Sequence, residues 1–131
     1  MSNPKPEIEG QQIFRELVDR ALARIPSEFR NALQRGSVAI IIRDWPDPAQ
    51  VKDAVGDEND MLYGLFTGIP FPEQHIDDME LPSVIYVFRG PLEEDFPDLD
   101  ELADEVAITI VHEIGHLMGL DEATLEAYGY R

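Results

Sequence analysis

Residues 106–118 read VAITIVHEIGHLM, a run that is apolar except at Thr109 and at His112, Glu113 and His116. A helix that is apolar nearly all round is a buried helix, so this segment predicts a core helix around which the rest of the chain packs. Two imidazoles and a carboxylate inside such a helix are destabilising unless they are paired or bound to something. Their spacing indicates what. On a helix, positions i and i+4 lie about 40° apart around the axis, so His112 and His116 project side by side and can share one metal ion. Glu113 falls about 100° from His112 and about 60° from His116, close enough to reach a water held by that ion. His112-Glu113-Ile114-Gly115-His116 is the H-E-x-x-H pattern of zinc-dependent hydrolysis. It predicts Zn2+ as the cofactor and Glu113 as general base. The competing reading makes the three residues core polar groups satisfied by hydrogen bonds, and leaves the joint match of type and spacing without a cause.

A catalytic zinc usually has three protein ligands and a water. The chain has no cysteine and three histidines, so the third ligand must come from His75 or a carboxylate. His75 sits in the polar segment PFPEQHIDD and reads as a surface residue. The carboxylates after the helix are better placed. HEIGHLMGLDE resembles the extended pattern H-E-x-x-H-x-x-G-x-x-H, in which the chain turns at the glycine and returns a ligand to the metal, with a carboxylate in place of the final His. Gly119 falls on the pattern's glycine and Glu122 on its final ligand position, with Asp121 one residue early as the alternative. Glu126 is a more distant option. Asp121 before ATLEAY is also a natural helix N-cap, and both roles can hold if Asp121 caps while Glu122 binds.

The remaining pattern is that of one small α+β domain. Residues 1–8 read as a loose tail and 9–131 as a single domain. Ile13, Phe14, Leu17, Val18, Ala21, Leu22 and Ile25 recur at helical spacing, and Pro26 ends that helix or opens a short second one over SEFRNALQRG. Val38–Ile42, Met61–Thr67 and Val84–Phe88 read as three short strands, the last two stopped by Gly68 with Pro70 and by Gly90 with Pro91. Residues 47–60 read as a loop. Asp98, Asp100 and Glu101 lie at the start of the motif helix, where carboxylates oppose the positive end of the helix dipole. Gly119 is placed to end the helix in a left-handed conformation.

Charge bounds the partners. The chain carries 27 acidic residues against 10 basic, a formal charge of −17. Such a surface repels phosphates and excludes nucleic acid as a partner; it steers basic peptides instead. No apolar run approaches the roughly 20 residues needed to cross a bilayer. MSNPKPEIEG lacks the apolar segment of a secretory signal, and with no cysteine the expected compartment is the cytoplasm.

Beyond the motif, the chain resembles the small bacterial minimal zincin-like metallopeptidases. The helix followed by IPSEFRNAL, the strands SVAIIIRDWP and LPSVIYVFRGPLEED, the segment LYGLFTGIPF and HEIGHLMGLDE carry the resemblance, across roughly residues 10–128. It implies a reduced zincin fold, with a small mixed β-sheet packed against an N-terminal helix and the H-E-x-x-H helix. It implies zinc held by His112, His116 and a carboxylate just beyond Gly119. The expected function is peptide-bond hydrolysis on a peptide or protein substrate. The alternative is a zinc-binding or metal-free interaction protein on the same scaffold, against which an intact Glu113 counts.

Overall fold

The computed structural model describes residues 6–50, 62–75 and 82–129. Helix α1 spans Pro6–Arg24. It begins ahead of the expected boundary at residue 9, with Pro6 at a first-turn position where its missing N–H leaves nothing unpaired. Phe14, Leu17, Val18, Ala21 and, just past the helix end, Ile25 are buried, the spacing of one helical face. Pro26 breaks the helix and precedes α2, Ser27–Arg35, which buries Phe29 and Ala32.

Three strands follow, β1 at Ala39–Arg43, β2 at Gly64–Thr67 and β3 at Val84–Phe88. Their order in the sheet is β1-β3-β2, with β1 parallel and β2 antiparallel to β3. The expected strand at 61–67 is shorter than its apolar run: Leu62 and Tyr63 lead into it, and Met61 lies outside the described residues. Most of the expected loop 47–60 also lies outside them. Gly90 and Pro91 stop β3 as expected, but they open a helix, α3 at Arg89–Asp95. Pro91 occupies the first turn, where a helix tolerates it. The Arg89 guanidinium holds the Asp44 carboxylate at 3.0 Å, and the Gly90 N–H donates to the Asp44 carbonyl at 2.7 Å. These contacts tie the start of α3 to the exit of β1.

The motif helix is α4, Leu99–Met118. Asp98 caps it by accepting the Glu101 N–H at 3.0 Å. Helices α1, α2 and α3 and the sheet all pack against α4, whose Leu102, Val106, Ile110, Val111, Ile114 and Leu117 are buried with Ile85 and Val87 of β3 in the main core. Phe88 and Leu62 form a second, smaller cluster with Leu65 and Tyr86. A last helix, α5, spans Glu122–Ala127.

Gly64 sets how closely the sheet meets α4. It pairs with Val87, and a Cβ at its position would lie 2.6 Å from the Thr109 methyl and 3.0 Å from the Tyr86 carbonyl oxygen. Only a residue without a side chain lets β2 run this near the motif helix. Gly64→Ala should therefore destabilise the protein by about 1–3 kcal/mol through overpacking. Adding Thr109→Ser, which removes the opposing methyl, should recover part of the loss in a denaturant titration. A Gly64→Ala protein as stable as wild type would mean that the strand does not approach so closely.

Candidate functional site

Helix α4 delivers His112, Glu113 and His116 to the side facing β2 and α5. Its C-terminus explains how α5 returns to them. Gly119 adopts φ +76°, a left-handed conformation. The Gly119 N–H donates to the His116 carbonyl at 3.1 Å and the Leu120 N–H to the Gly115 carbonyl at 2.9 Å, a pairing that closes the helix and reverses the chain. Leu125 of α5 is fully buried and packs where a Cβ on Gly115 would stand, at 2.8 Å. That contact seats α5 against the motif turn.

Glu113 is only 8% exposed. Its Oε1 accepts the backbone N–H of Phe66 at 2.7 Å and stands 3.2 Å from His116 Nδ1. Among the described residues β2 pairs with β3 alone, so alternate backbone groups of β2 point away from the sheet. The Phe66 N–H is one of these, and Glu113 satisfies it. The buried carboxylate thereby gains a charge-assisted partner.

His112 is half-buried, with its Nδ1 4.0 Å from Glu122 Oε2. Its Nε2 is buried with no hydrogen-bond partner. His116 is more open. Its proton affinity is raised, first by the hydrogen bond to Glu113, against an opposing effect of burial, with the charges of Glu113 and Glu122 adding to the rise.

The two carboxylates after Gly119 part company. Asp121 caps α5, accepting the Thr124 N–H at 2.9 Å and the Thr124 hydroxyl at 2.7 Å, and these bonds lower its carboxyl pKa. Glu122, one residue on, is the one near His112. His75 is exposed. Two tyrosines that could supply an oxyanion donor have their hydroxyls engaged: Tyr63 donates to Asp95 and Tyr128 to Glu28. Tyr130 lies outside the described residues. Thr109 turns its methyl toward Gly64.

Among the described residues no group of three or more His, Asp or Glu side chains stands assembled as a metal cage. The donor set nevertheless suits zinc: two imidazoles one turn apart, a buried ring nitrogen without a partner, and a carboxylate on the neighbouring helix. His116 and Glu122 are exposed enough to turn inward.

The family of zincin-like metallopeptidases matches residues 36–130. This chain belongs to that family. The match takes in the sheet, the motif helix and α5, so the H-E-x-x-H residues lie within the matched region. No curated protein matches the chain.

Two features of the site escape a reading of side chains. The Phe66 N–H is a backbone donor and leaves no mark in the sequence. Gly64 does leave one, since a glycine inside the run MLYGLFT signals close backbone approach.

The raised pKa of His116 gives the metal-free protein a pH signature. A group whose pKa rises on folding stabilises the fold fully below its unfolded value, and the contribution fades as pH climbs through the folded one. The stability difference between wild type and His116→Gln should therefore be largest below about pH 6.5 and shrink above it. Thermal unfolding of chelator-treated protein across roughly pH 5–8 measures it. A difference that grows with pH would contradict the His116–Glu113 contact.

Proposed function

We propose that the protein is a zinc-dependent metallopeptidase in which His112, His116 and Glu122 hold the metal and Glu113 is the general base. The position of Glu113 carries the reading. A carboxylate on a family-matched motif helix is buried between that helix and the edge strand, and the next residue back presents an unpartnered ring nitrogen. A bound zinc would supply Lewis-acid polarisation of the attacking water and of the scissile carbonyl. Glu113 would accept a proton from the attacking water and deliver it to the leaving amine. The Phe66 N–H fixes Oε1 of Glu113, which keeps the base from swinging away from the histidines. The carboxylate of Glu122 reaches toward His112 from α5, while Asp121 remains a cap.

The substrate is a peptide or an exposed protein segment. Among the described residues β2 is an edge of the sheet beside the motif helix; its Phe66 N–H is held by Glu113, so an extended peptide would add by main-chain hydrogen bonds to the strand's other outward groups. The charge of −17 favours basic peptides and disfavours nucleic acids. No helix among the described residues is long and apolar enough to cross a membrane.

Glu113→Gln keeps the side chain's size and removes its ability to accept the proton. It should retain zinc and lose about 10²–10⁴ in peptidase rate. The measurement is a peptide-library digest by the zinc-loaded proteins, followed by mass spectrometry. Cleavage by the variant at the wild-type rate would contradict the mechanism. A zinc-loaded wild type that cleaves nothing would favour an interaction protein on a zincin scaffold.

A further inference from the structure

Helix α5 is six residues long. A helix that short is not stable by itself, and among the described elements none packs broadly against it. A few contacts therefore set where Glu122, its first residue, stands. Gly119 and the Asp121 cap fix the chain's entry. Leu125 is buried against Gly115 in the middle. The far end is held by Tyr128. Its N–H continues the last turn by donating to the Leu125 carbonyl at 3.1 Å. Its ring meets Phe29 of α2 edge-on, with centroids 5.1 Å apart and planes at 78°, and its hydroxyl donates to Glu28 of the same helix. We propose that Tyr128 is a positioning residue for the third zinc ligand: its hold on α2 keeps α5 oriented so that Glu122 stays beside His112. The role toward the metal rests on the reading in which Glu122 binds zinc; the anchoring of α5 by Tyr128 does not.

The spacing makes the anchor effective. Leu125 lies midway between Glu122 and Tyr128, with about 4.5 Å of helix rise on either side. A short helix that pivots on Leu125 moves its two ends by similar amounts in opposite directions. Loss of the hold at Tyr128 is then felt at Glu122, where tolerance is small, because zinc takes carboxylate oxygens at about 2.0–2.2 Å. The Glu122 side chain is 68% exposed, so its own surroundings restrain it little.

The surface that receives Tyr128 is firm. Phe29 is fully buried and packs in the main core with residues of α4, and an edge-on aromatic pair adds to the effect of burial alone. Glu28 lies in the first turn of α2, where a carboxylate opposes the helix dipole. The bond to that carboxylate is the first cause of the raised pKa of the Tyr128 hydroxyl, ahead of burial and the charge of Glu28. Helix α2, Ser27–Arg35, precedes the matched residues 36–130. The support for the ligand helix thus comes from a part of this chain outside the family match.

The test is a double-mutant cycle on zinc affinity, with a metal-free arm. Affinity is measured by competition with a chromophoric chelator in wild type, Tyr128→Ala, Glu122→Ala and the double variant. Tyr128→Ala should weaken zinc binding roughly threefold to tenfold, the worth of one aromatic pair. In the Glu122→Ala background the same substitution should change nothing further, because its effect passes through Glu122. Tyr128→Phe, which keeps the ring and loses only the hydroxyl, should recover most of the affinity. Equal losses in both backgrounds, or no loss in either, would overturn the positioning role and leave the zinc site standing. Wild-type protein that takes up no zinc would overturn the metal reading and the role of Tyr128 toward it together. Hydrogen exchange on chelator-treated protein tests the anchor without metal. The Leu125 and Glu126 amides should exchange faster in Tyr128→Ala while those of Ile110 and Ile114 in α4 keep their protection. Unchanged exchange in α5 would overturn the anchor itself. Should Tyr128→Ala loosen α4 as well, the same cycle run with Tyr128→Phe decides: a loss of about twofold that vanishes in the Glu122→Ala background supports the proposal, and one that persists there overturns it.

Discussion

A carboxylate buried in an apolar helix must find a donor, and Glu113 takes the Phe66 N–H from the edge of the sheet. The bond settles two problems at once. It compensates the burial of a charge in the core, and it occupies a backbone group that the edge strand would otherwise leave unpaired. It also locks β2 against α4, in a space that exists only because Gly64 carries no side chain. The candidate base is thus positioned by the strand beside it.

Helix α4 is at once the core of the domain and the bearer of its chemistry. The helices α1, α2 and α3 and the sheet bury its apolar surface, while His116 and Glu122 stay near the surface at its C-terminal end. The Gly119 reversal and the packing of Leu125 on Gly115 return the chain to the histidines within a few residues. A third potential ligand therefore comes from the immediately following helix. Residues 36–130, which carry this arrangement, match the family of zincin-like metallopeptidases.

The parts legible in the sequence are those governed by local rules. The apolar run 106–118 required a buried helix, Asp98 and Gly119 marked its ends, and Asp121 was readable as the cap of α5. Counting from Gly119 placed Glu122 on the final ligand position with Asp121 as the alternative; in the structure Asp121 caps α5 and Glu122 stands 4.0 Å from His112. The parts that were not legible depend on contacts distant in sequence. Gly90 and Pro91 looked like breakers, yet α3 forms there, held to the end of β1 by the pairing of Arg89 with Asp44. The Tyr63 hydroxyl is engaged by Asp95, 32 residues away.

The central claim is that the residues gathered at the end of α4 form a zinc site. It is tested most directly by measuring zinc stoichiometry and affinity after dialysis of the loaded protein, in wild type, His112→Ala, Glu122→Ala and Asp121→Ala. The account predicts about one zinc per chain in wild type, loss of binding in His112→Ala, strong weakening in Glu122→Ala, and near-wild-type affinity in Asp121→Ala. Wild-type protein that takes up no stoichiometric zinc, or that holds it equally well without His112, would contradict the account.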